Sequence, residues 1–353
     1  MLMHNIFFTL FALLCGLSAC TAQPSKYQSL DIDSFKQTIN DINTILLDVR
    51  TASEYAEGHL GKAINIDVQR DDFLQRAMTI LPKDKSIAVY CRSGRRSKKA
   101  ADLLADKGYR ITELDKGYMG WTAAGNEVTK EVTDLFVTPM GTLVWLNCIK
   151  HGTLSICVGN QWIYIDPVTD KIPPTTDYST RPKARLILLT HEHADHLDAK
   201  AIDQLSQSGT QLVANPRCSE LLGGKGNVLK NGESTAIGTW MVEAVPAYNT
   251  AADKQQFHPK GRDNGYILTI DRLRIYIAGD TEDIAEMNDI HDIDVAFLPC
   301  NLPYTMTPEQ LAHAAKMLSP KVLFPYHYGQ TDIQQVQQLL AGSGIDIRIR
   351  PYQ

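Results

Sequence analysis

The sequence predicts two α/β domains joined in one chain of 353 residues. Three observations carry this. From about residue 29 to 130, short apolar, β-branched runs alternate with short helical patterns, which implies a mainly parallel sheet. From about 136 to 353 the rhythm changes, with consecutive strand patterns first and helices returning later. The composition, 44% hydrophobic and 21% charged, supplies enough apolar material for two cores.

In order, the first region carries strands at 44–49, 63–67, 86–90 and 111–114, and helices at 53–57, 72–80 and 97–107. The strand segments are apolar, as in Ile45-Leu46-Leu47 and Ile87-Ala88-Val89-Tyr90, and are closed by polar or turn residues. The second region opens with successive strands across 141–166, then a strand at 185–190, a helix at 199–207 and a strand at 210–214. Strands at 239–245, 265–270, 273–278 and 294–299 follow, then a helix at 308–318, a strand at 321–325 and a helix at 332–340. The domain boundary falls near 126–134. There is no internal repeat and no low-complexity tract.

Residues 1–20 are not fold material. The apolar stretch 6–17 is short for a membrane-spanning helix and leads into Leu17-Ser18-Ala19-Cys20. This resembles a bacterial lipoprotein signal, although Met1 to Asn5 lacks the usual Lys or Arg. The resemblance implies cleavage before Cys20 and lipidation of that residue; an ordinary cleaved signal is the alternative. Lipid on Cys20 would anchor the chain to a membrane, in the bacterial cell envelope, facing the periplasm or the exterior. Residues 21–28 then read as a tether.

The chain has seven cysteines. Cys15 and Cys20 fall in the signal. Cys91, Cys148, Cys157, Cys218 and Cys300 are left, an odd set without a CxxC pair, which is not a disulfide framework. Cys148 and Cys157 flank a hairpin turn at His151-Gly152 and are expected to be two small buried residues rather than a disulfide. A net charge of −5 argues against nucleic acid as a partner. The one basic cluster, Arg92 to Lys99, has a different use.

That cluster belongs to Tyr90-Cys91-Arg92-Ser93-Gly94-Arg95-Arg96-Ser97, which follows a strand and opens a helix. A cysteine there lies under backbone N–H groups and the positive helix end, which favours thiolate, and Arg92, Arg95 and Arg96 add positive field. Such a loop holds an anion, built on phosphate or on sulfur. Phosphatase-type loops place an arginine six residues after the cysteine, where this chain has Ser97. Arg96 lies five after Cys91, and this shorter loop suits a persulfide. The segment resembles the rhodanese family. Supporting matches are Leu47-Asp48-Val49-Arg50, Glu54-Tyr55, Gly58-His59-Leu60-Gly61-Lys62-Ala63-Ile64-Asn65 and Gly117-Tyr118-Met119-Gly120-Trp121, within residues 29–130. The resemblance implies an α/β rhodanese domain in which Cys91 accepts a sulfane sulfur and passes it to a nucleophile. Arg96 and the loop from Arg92 to Ser97 would stabilise the persulfide, with Asp48 and Arg50 holding the loop from below.

The most informative segment is Thr190-His191-Glu192-His193-Ala194-Asp195-His196-Leu197-Asp198, directly after the apolar run Leu186-Ile187-Leu188-Leu189. Three of the chain's 10 histidines fall within six positions, the pattern of a strand delivering a metal-binding loop. His191 and His193 are two apart and can turn to one side, while Asp195 and His196 can serve a second metal. Two later strands end in further ligands. Ile275-Tyr276-Ile277-Ala278-Gly279-Asp280 ends in a carboxylate suited to bridging two metals, and Leu323-Phe324-Pro325-Tyr326-His327 ends in an imidazole. With Ile163-Tyr164-Ile165-Asp166-Pro167 and the preceding His151, these motifs resemble the metallo-β-lactamase superfamily, most closely the branch that includes the ascorbate-6-phosphate lactonases. The resemblance covers residues 136–353 and implies an αββα metallo-β-lactamase sandwich. It implies His191 and His193 on the first metal, Asp195, His196 and His327 on the second, and Asp280 bridging.

One position departs from the family pattern. The third histidine of the first metal is expected on a strand that here ends Val245-Pro246-Ala247-Tyr248-Asn249. His258, in Phe257-His258-Pro259-Lys260-Gly261, is the only histidine between His196 and Asp280, and it is expected to reach the first metal or the substrate. His151, Tyr248 and Asn249 are expected to face the substrate or support the ligands from behind, with His291 and His313 at the surface. Two divalent ions, zinc or manganese, would lower the pKa of a bridging water and polarise the scissile group, with Asp195 orienting the metal-bound hydroxide.

The expected whole is a two-domain enzyme: a persulfide-forming sulfurtransferase fused to a dinuclear metal-dependent hydrolase of a small molecule, for which the fusion suggests a sulfur-containing substrate. Two alternatives stand beside it. One is a persulfide dioxygenase, with a single iron held by His191, Asp280 and another histidine. The other is a hydrolase whose rhodanese domain senses sulfur without turning it over. The fold admits lactones, phosphodiesters, thioesters and amides.

Overall fold

The structure is a computed structural model and describes residues 25–351. The signal expected at 1–20, with Cys20, and the first half of the tether lie outside the described residues. Among the described residues no helix is long and apolar enough to cross a membrane.

In chain order the first domain comprises β1 (Gln28–Leu30), α1 (Ile32–Ile39), β2 (Thr44–Asp48), α2 (Ala52–Glu57), β3 (Ile64–Asn65), α3 (Phe73–Ile80), β4 (Ser86–Tyr90), α4 (Arg95–Ala105), β5 (Arg110–Leu114) and α5 (Gly117–Ala123). Its five strands form one parallel sheet in the order β1-β5-β4-β2-β3. Strand alternation sends Ile45, Leu47, Ile87 and Val89 toward α3 and α4, and Leu46 and Ala88 toward α1, α2 and α5. Because all strands run one way, the ends of β2 and β4 share an edge, and that edge carries Asp48 and Cys91.

The second domain continues with β6 (Thr133–Val137), β7 (Leu143–Lys150), β8 (Thr153–Val158), β9 (Gln161–Ile165), β10 (Ala184–Leu189), α6 (Ala199–Leu205), β11 (Gln211–Ala214), α7 (Pro216–Leu221) and β12 (Asn227–Val228). Next come β13 (Ser234–Ile237), β14 (Trp240–Ala247), β15 (Asp263–Ile270), β16 (Leu273–Ile277), a 3-10 turn (Ala285–Asp289), β17 (Val295–Pro299), α8 (Pro308–Leu318), β18 (Val322–Tyr326), α9 (Gln335–Leu339) and β19 (Asp346–Ile347). They build two seven-stranded sheets, β12-β11-β10-β9-β8-β7-β6 and β13-β14-β15-β16-β17-β18-β19. Leu146, Ile156, Ile165 and Leu188 of the first sheet meet Val242, Leu268, Ile275 and Phe324 of the second in one core. α6 and α7 cover the first sheet from outside, and α8 and α9 cover the second. The layering is helix, sheet, sheet, helix, as the motifs imply.

The rest of the first sheet's outer face packs on the first domain, where Trp145 and Cys157 share a core with Phe73 and Val89. Lys62 puts its Nζ 5.1 Å from the Trp145 ring and 5.3 Å from the Trp162 ring. Cys148 lies opposite Leu154 and Cys157 opposite Trp145, so the two cysteines face different cores and form no disulfide.

Candidate metal centre and cysteine loop

The second domain brings its polar residues to one rim. β10 is almost wholly buried and ends before Thr190, so the imidazoles that follow emerge where the apolar strand stops. Asp198 then caps α6 by accepting from the Lys200 N–H at 2.9 Å. β7 turns at His151-Gly152, β9 is followed by Asp166, β16 by Gly279-Asp280 and β18 by His327. His151, Asp166 and His327 all leave their strands in the left-handed region, with φ of 45°, 45° and 49°. For side chains with a Cβ this costs on the order of 1 kcal/mol each, so the surrounding structure, not local preference, sets these turns.

The side chains converge. His191, His193 and His258 form one group of possible ligands, His151, Asp195 and His327 a second, and His191, His196 and Asp280 a third; within each group the ligand atoms lie within 4.8 Å of one another. Asp280 is the common neighbour. Its oxygens lie 3.5 Å from His258 Nε2, 3.5 Å from His196 Nε2, 3.6 Å from His327 Nε2 and 4.0 Å from His191 Nε2. Asp195 Oδ2 lies 3.1 Å from His151 Nε2, 3.3 Å from His327 Nε2 and 3.7 Å from His196 Nε2.

His258 reaches this cluster from a loop. The Asn249 N–H donates to the His258 carbonyl at 2.8 Å, and Asp263 holds His258 Nδ1 at 3.1 Å, which turns Nε2 toward Asp280. Of the other residues considered from sequence, Tyr248 bonds through its hydroxyl to Glu286 at 2.7 Å and Lys260 at 3.1 Å. Asn249 Nδ2 donates to the carbonyls of Lys254 and Tyr304. Both therefore brace the segment that carries His258. His291 and His313 are exposed.

The residue set fits a metal. His191 Nε2, His196 Nε2, His327 Nδ1 and Asp280 Oδ1 are buried without a hydrogen-bond partner among the described residues. Each such atom costs about 1–3 kcal/mol unless something meets it. Burial, with repulsion from His196, His258 and His193, holds His191 neutral and far below its ordinary pKa. His196 behaves oppositely: burial disfavours its charge, yet Asp280, Asp195 and Asp166 push it up to about 10. Against its own burial, Asp195 is held well below the carboxylate range by His196, His151 and His327. Ionised Asp195 and Asp280 beside the neutral His191 form a field that attracts a cation.

Three contributors have roles that sequence alone does not assign. Asp166 accepts from His196 Nδ1 at 2.8 Å and from the Thr190 N–H at 2.8 Å, fixing the ligand loop from behind. Asp263 does the same for His258; a carboxylate five positions after a ligand histidine is its only local signal. At Gly152 a Cβ would stand 2.7 Å from His196 Cε1 and 3.3 Å from His327 Cδ2, so the site needs a glycine where sequence shows only a turn.

In the first domain Cys91 and Ser97 are buried, whereas Arg92, Ser93 and Arg95 are exposed. Gly94 (φ 93°) would press a Cβ to 2.1 Å from the Asp115 carbonyl oxygen, and Gly117 (φ 55°) to 2.5 Å from that of Cys91. Ser97 Oγ lies 3.3 Å from Cys91 Sγ. Arg96 is gripped by both oxygens of Glu54, at 2.6 and 2.7 Å, a pairing the sequence reading did not foresee. Arg50 binds Asp48 at 2.6 Å and the Gly58 carbonyl at 2.7 Å, the architectural role expected of that pair.

Fold and site together define a metal-dependent hydrolase with the β-lactamase fold that also carries a rhodanese-like domain. The chain belongs to the β-lactamase superfamily: the family model for the β-lactamase superfamily domain matches residues 145–327, and the model for the rhodanese-like domain matches residues 31–124. A UPF0173 metal-dependent hydrolase of Thermococcus kodakarensis is 34% identical over 195 residues, covering 53% of this chain and 85% of the relative. A solved structure from Parabacteroides distasonis, described as a metal-dependent hydrolase, shares 53% identity at a TM-score of 0.61, over 63% of this chain and 100% of its own. Igni18, a metallo hydrolase from Ignicoccus hospitalis, shares 25% identity at a TM-score of 0.51, over 60% of this chain and 96% of its own.

Proposed function

We propose that the second domain hydrolyses a small molecule at a pair of divalent metal ions, and that the first domain is a sulfurtransferase working through a persulfide on Cys91. The observation that supports the dinuclear reading is the meeting of two donor groups at Asp280, with His191, His193 and His258 in one and His151, Asp195 and His327 in the other. A mononuclear iron site of the dioxygenase kind would use only His191, Asp280 and one further histidine, and would leave the Asp195 group without a metal. A histidine-rich set suits zinc, with manganese the alternative. The ions would supply a lowered water pKa and polarisation of the scissile bond.

The chain's own residues do the remaining work. Asp263 orients His258, and Asp166 orients His196. Asp195 is the most open carboxylate of the set, its side chain 27% exposed against 4% for Asp280, and it would orient the attacking hydroxide. His151 meets the same Asp195 oxygen, Oδ2, as His327, at 3.1 Å. The likeness of the strand-end motifs to the lactonase branch puts lactones and related esters first among substrate classes.

For the first domain, support comes from the buried Cys91 between β4 and α4 and from Arg96 fixed beside it. The two reactions are proposed to run separately. A cavity of about 780 Å³ between the domains is lined by Thr44 at the start of β2 and by Trp145 and Trp162, whereas Cys91 follows the end of β4. A sulfur-containing product of one site would reach the other through solvent. Lipid on Cys20 would hold both activities at the cell envelope.

The test is metal analysis by mass spectrometry on protein purified without chelator or affinity metal, with lactone, ester and phosphodiester substrates assayed alongside. About two zinc or manganese ions per chain, with hydrolysis, is the expected result. About one iron, with oxygen uptake on a persulfide, would replace this reading by the dioxygenase.

A further inference from the structure

We propose that Arg262 is a positioning residue that pins the His258 loop against the loop of His191 and His193, and so completes the first group of metal ligands. The proposal rests on the dinuclear reading of the second domain. His191 and His193 follow closely on the end of β10, whereas His258 stands on the connection from Tyr248 to Arg262, between β14 and β15. A ligand carried by a loop is placed only as well as the loop itself is held.

The loop is held at both ends. At its start Glu282 accepts from the Thr250 and Ala251 N–H groups and from the Thr250 hydroxyl, each at 2.8 Å. At its end stands Arg262. Its Nε donates to Asp263 Oδ1 at 2.7 Å, and its Nη2 donates to Asp263 Oδ2 at 2.9 Å and to the Phe257 carbonyl. Its Nη1 lies 3.1 Å from Glu192 Oε1. Each of these partners is next to an imidazole. Phe257 precedes His258, Asp263 holds His258 Nδ1 at 3.1 Å, and Glu192 separates His191 from His193. One planar guanidinium thus ties together the segments that carry all three histidines.

Both carboxylates depend on it. Asp263 is 1% exposed, and among the described residues the side chains that bond it are those of Arg262 and His258. A carboxylate at that depth is costly without a charged donor. Glu192 Oε2 is buried without a hydrogen-bond partner among the described residues, so its pairing runs through Oε1 and Arg262. Without Arg262 the loop keeps its Glu282 anchor but loses its side-chain tie to the His191 loop. His258 Nε2, now 3.5 Å from Asp280, is then free to turn away.

The sign of the effect separates placement from field. Arg262 is a cation beside a site for cations, so by charge alone its removal would tighten metal binding. Weaker binding on its removal therefore reads the placement of His258.

The experiment is zinc titration of the full-length protein, stripped of metal, in competition with a chromophoric chelator, which reads the affinity of each ion without any substrate. Wild type is expected to bind two ions. In R262A one ion should bind about 10- to 100-fold more weakly and the other as in wild type. R262K should recover only part of the loss, because one ammonium cannot meet Asp263, Phe257 and Glu192 together. In H258A, which already lacks the ligand, adding R262A should lower the affinity of the remaining ion no further. Unchanged or tighter binding in R262A, or an equal loss in the H258A background, would overturn the proposal. Circular dichroism establishes folding, and if R262A does not fold, R262K and E192Q carry the comparison, each expected to weaken the same single ion. Wild type that binds one ion only would end the dinuclear reading by itself; the role of Arg262 then stands if R262A weakens that ion and falls if it does not.

Discussion

The His258 ring centroid stands 4.9 Å from that of His191 and 4.8 Å from that of His193, although His258 arrives on a loop and the other two follow β10. This geometry brings a third imidazole beside them, where β14 and the two residues after it carry none. His258→Ala is expected to lower metal content from about two ions per chain to about one and to reduce hydrolysis by at least about 100-fold, read by mass spectrometry and steady-state kinetics. Unchanged metal content would remove His258 from the site.

Asp263 touches His258 and no other member of the cluster, so its loss should loosen the ligand without deleting it. Asp263→Asn is expected to weaken metal binding about 10- to 100-fold, measured by competition with a chromophoric chelator.

The separation of the two sites predicts independence. Cys91→Ser should abolish thiosulfate-to-cyanide transfer and leave hydrolysis and metal content at wild-type levels, and His191→Ala should do the reverse. The effects should add in the double variant. A fall in hydrolysis with Cys91→Ser would mean that the domains communicate.

Gly117 has φ 55°, and an added Cβ would lie 2.5 Å from the Cys91 carbonyl oxygen and 2.8 Å from Ser93 N. Backbone cannot yield as a flexible side chain does. Gly117→Ala is expected to destabilise the protein by about 2–4 kcal/mol in denaturant unfolding and to impair sulfur transfer, since the clash falls on the cysteine loop itself.

The Glu54–Arg96 pair gives a signed pH effect. Arg96 above all, with the Thr51 bonds and against burial, lowers the Glu54 pKa from 4.5 to about 2. Folding favours the ionised form, so the pair stabilises fully above pH 4.5, and its contribution is lost as the pH falls through about 2. Glu54→Gln should therefore cost on the order of 1–2 kcal/mol at neutral pH, allowing for partial solvent screening, and the difference from wild type should close in acid. A constant difference across that range would show that packing, not charge, is responsible.

Legibility in the sequence followed the range of the interactions. The strand Ser86–Tyr90 and the helix Pro308–Leu318 coincide with their predicted bounds because each carries its own apolar pattern and, in the helix, a Thr307–Gln310 capping box. α1 carries a weak sequence signal because it buries only Phe35, although Asp31 caps it. β6 carries a weak sequence signal because its anchor is remote: Asp134 is bound by Arg348 and Arg350, at 2.7–2.9 Å. The strand expected at 63–67 shortens to Ile64–Asn65, at the edge of the sheet, where only β2 pairs with it.

The chemistry of each loop is local, because a strand that stops at Cys91, His191, Asp280 or His327 announces what it delivers through neighbours in the chain. Which of these ends meet is a property of the packed fold. The same-edge placement of strand ends in two packed sheets brings His258 to His191 and centres the histidines on Asp280. In the first domain, the pairing of β4 with β5 sets Glu113 behind Ser97 and Cys91. Spatial convergence of this kind depends on sheet order and burial, which no window along the chain contains, whereas ligand type depends only on the residue in place.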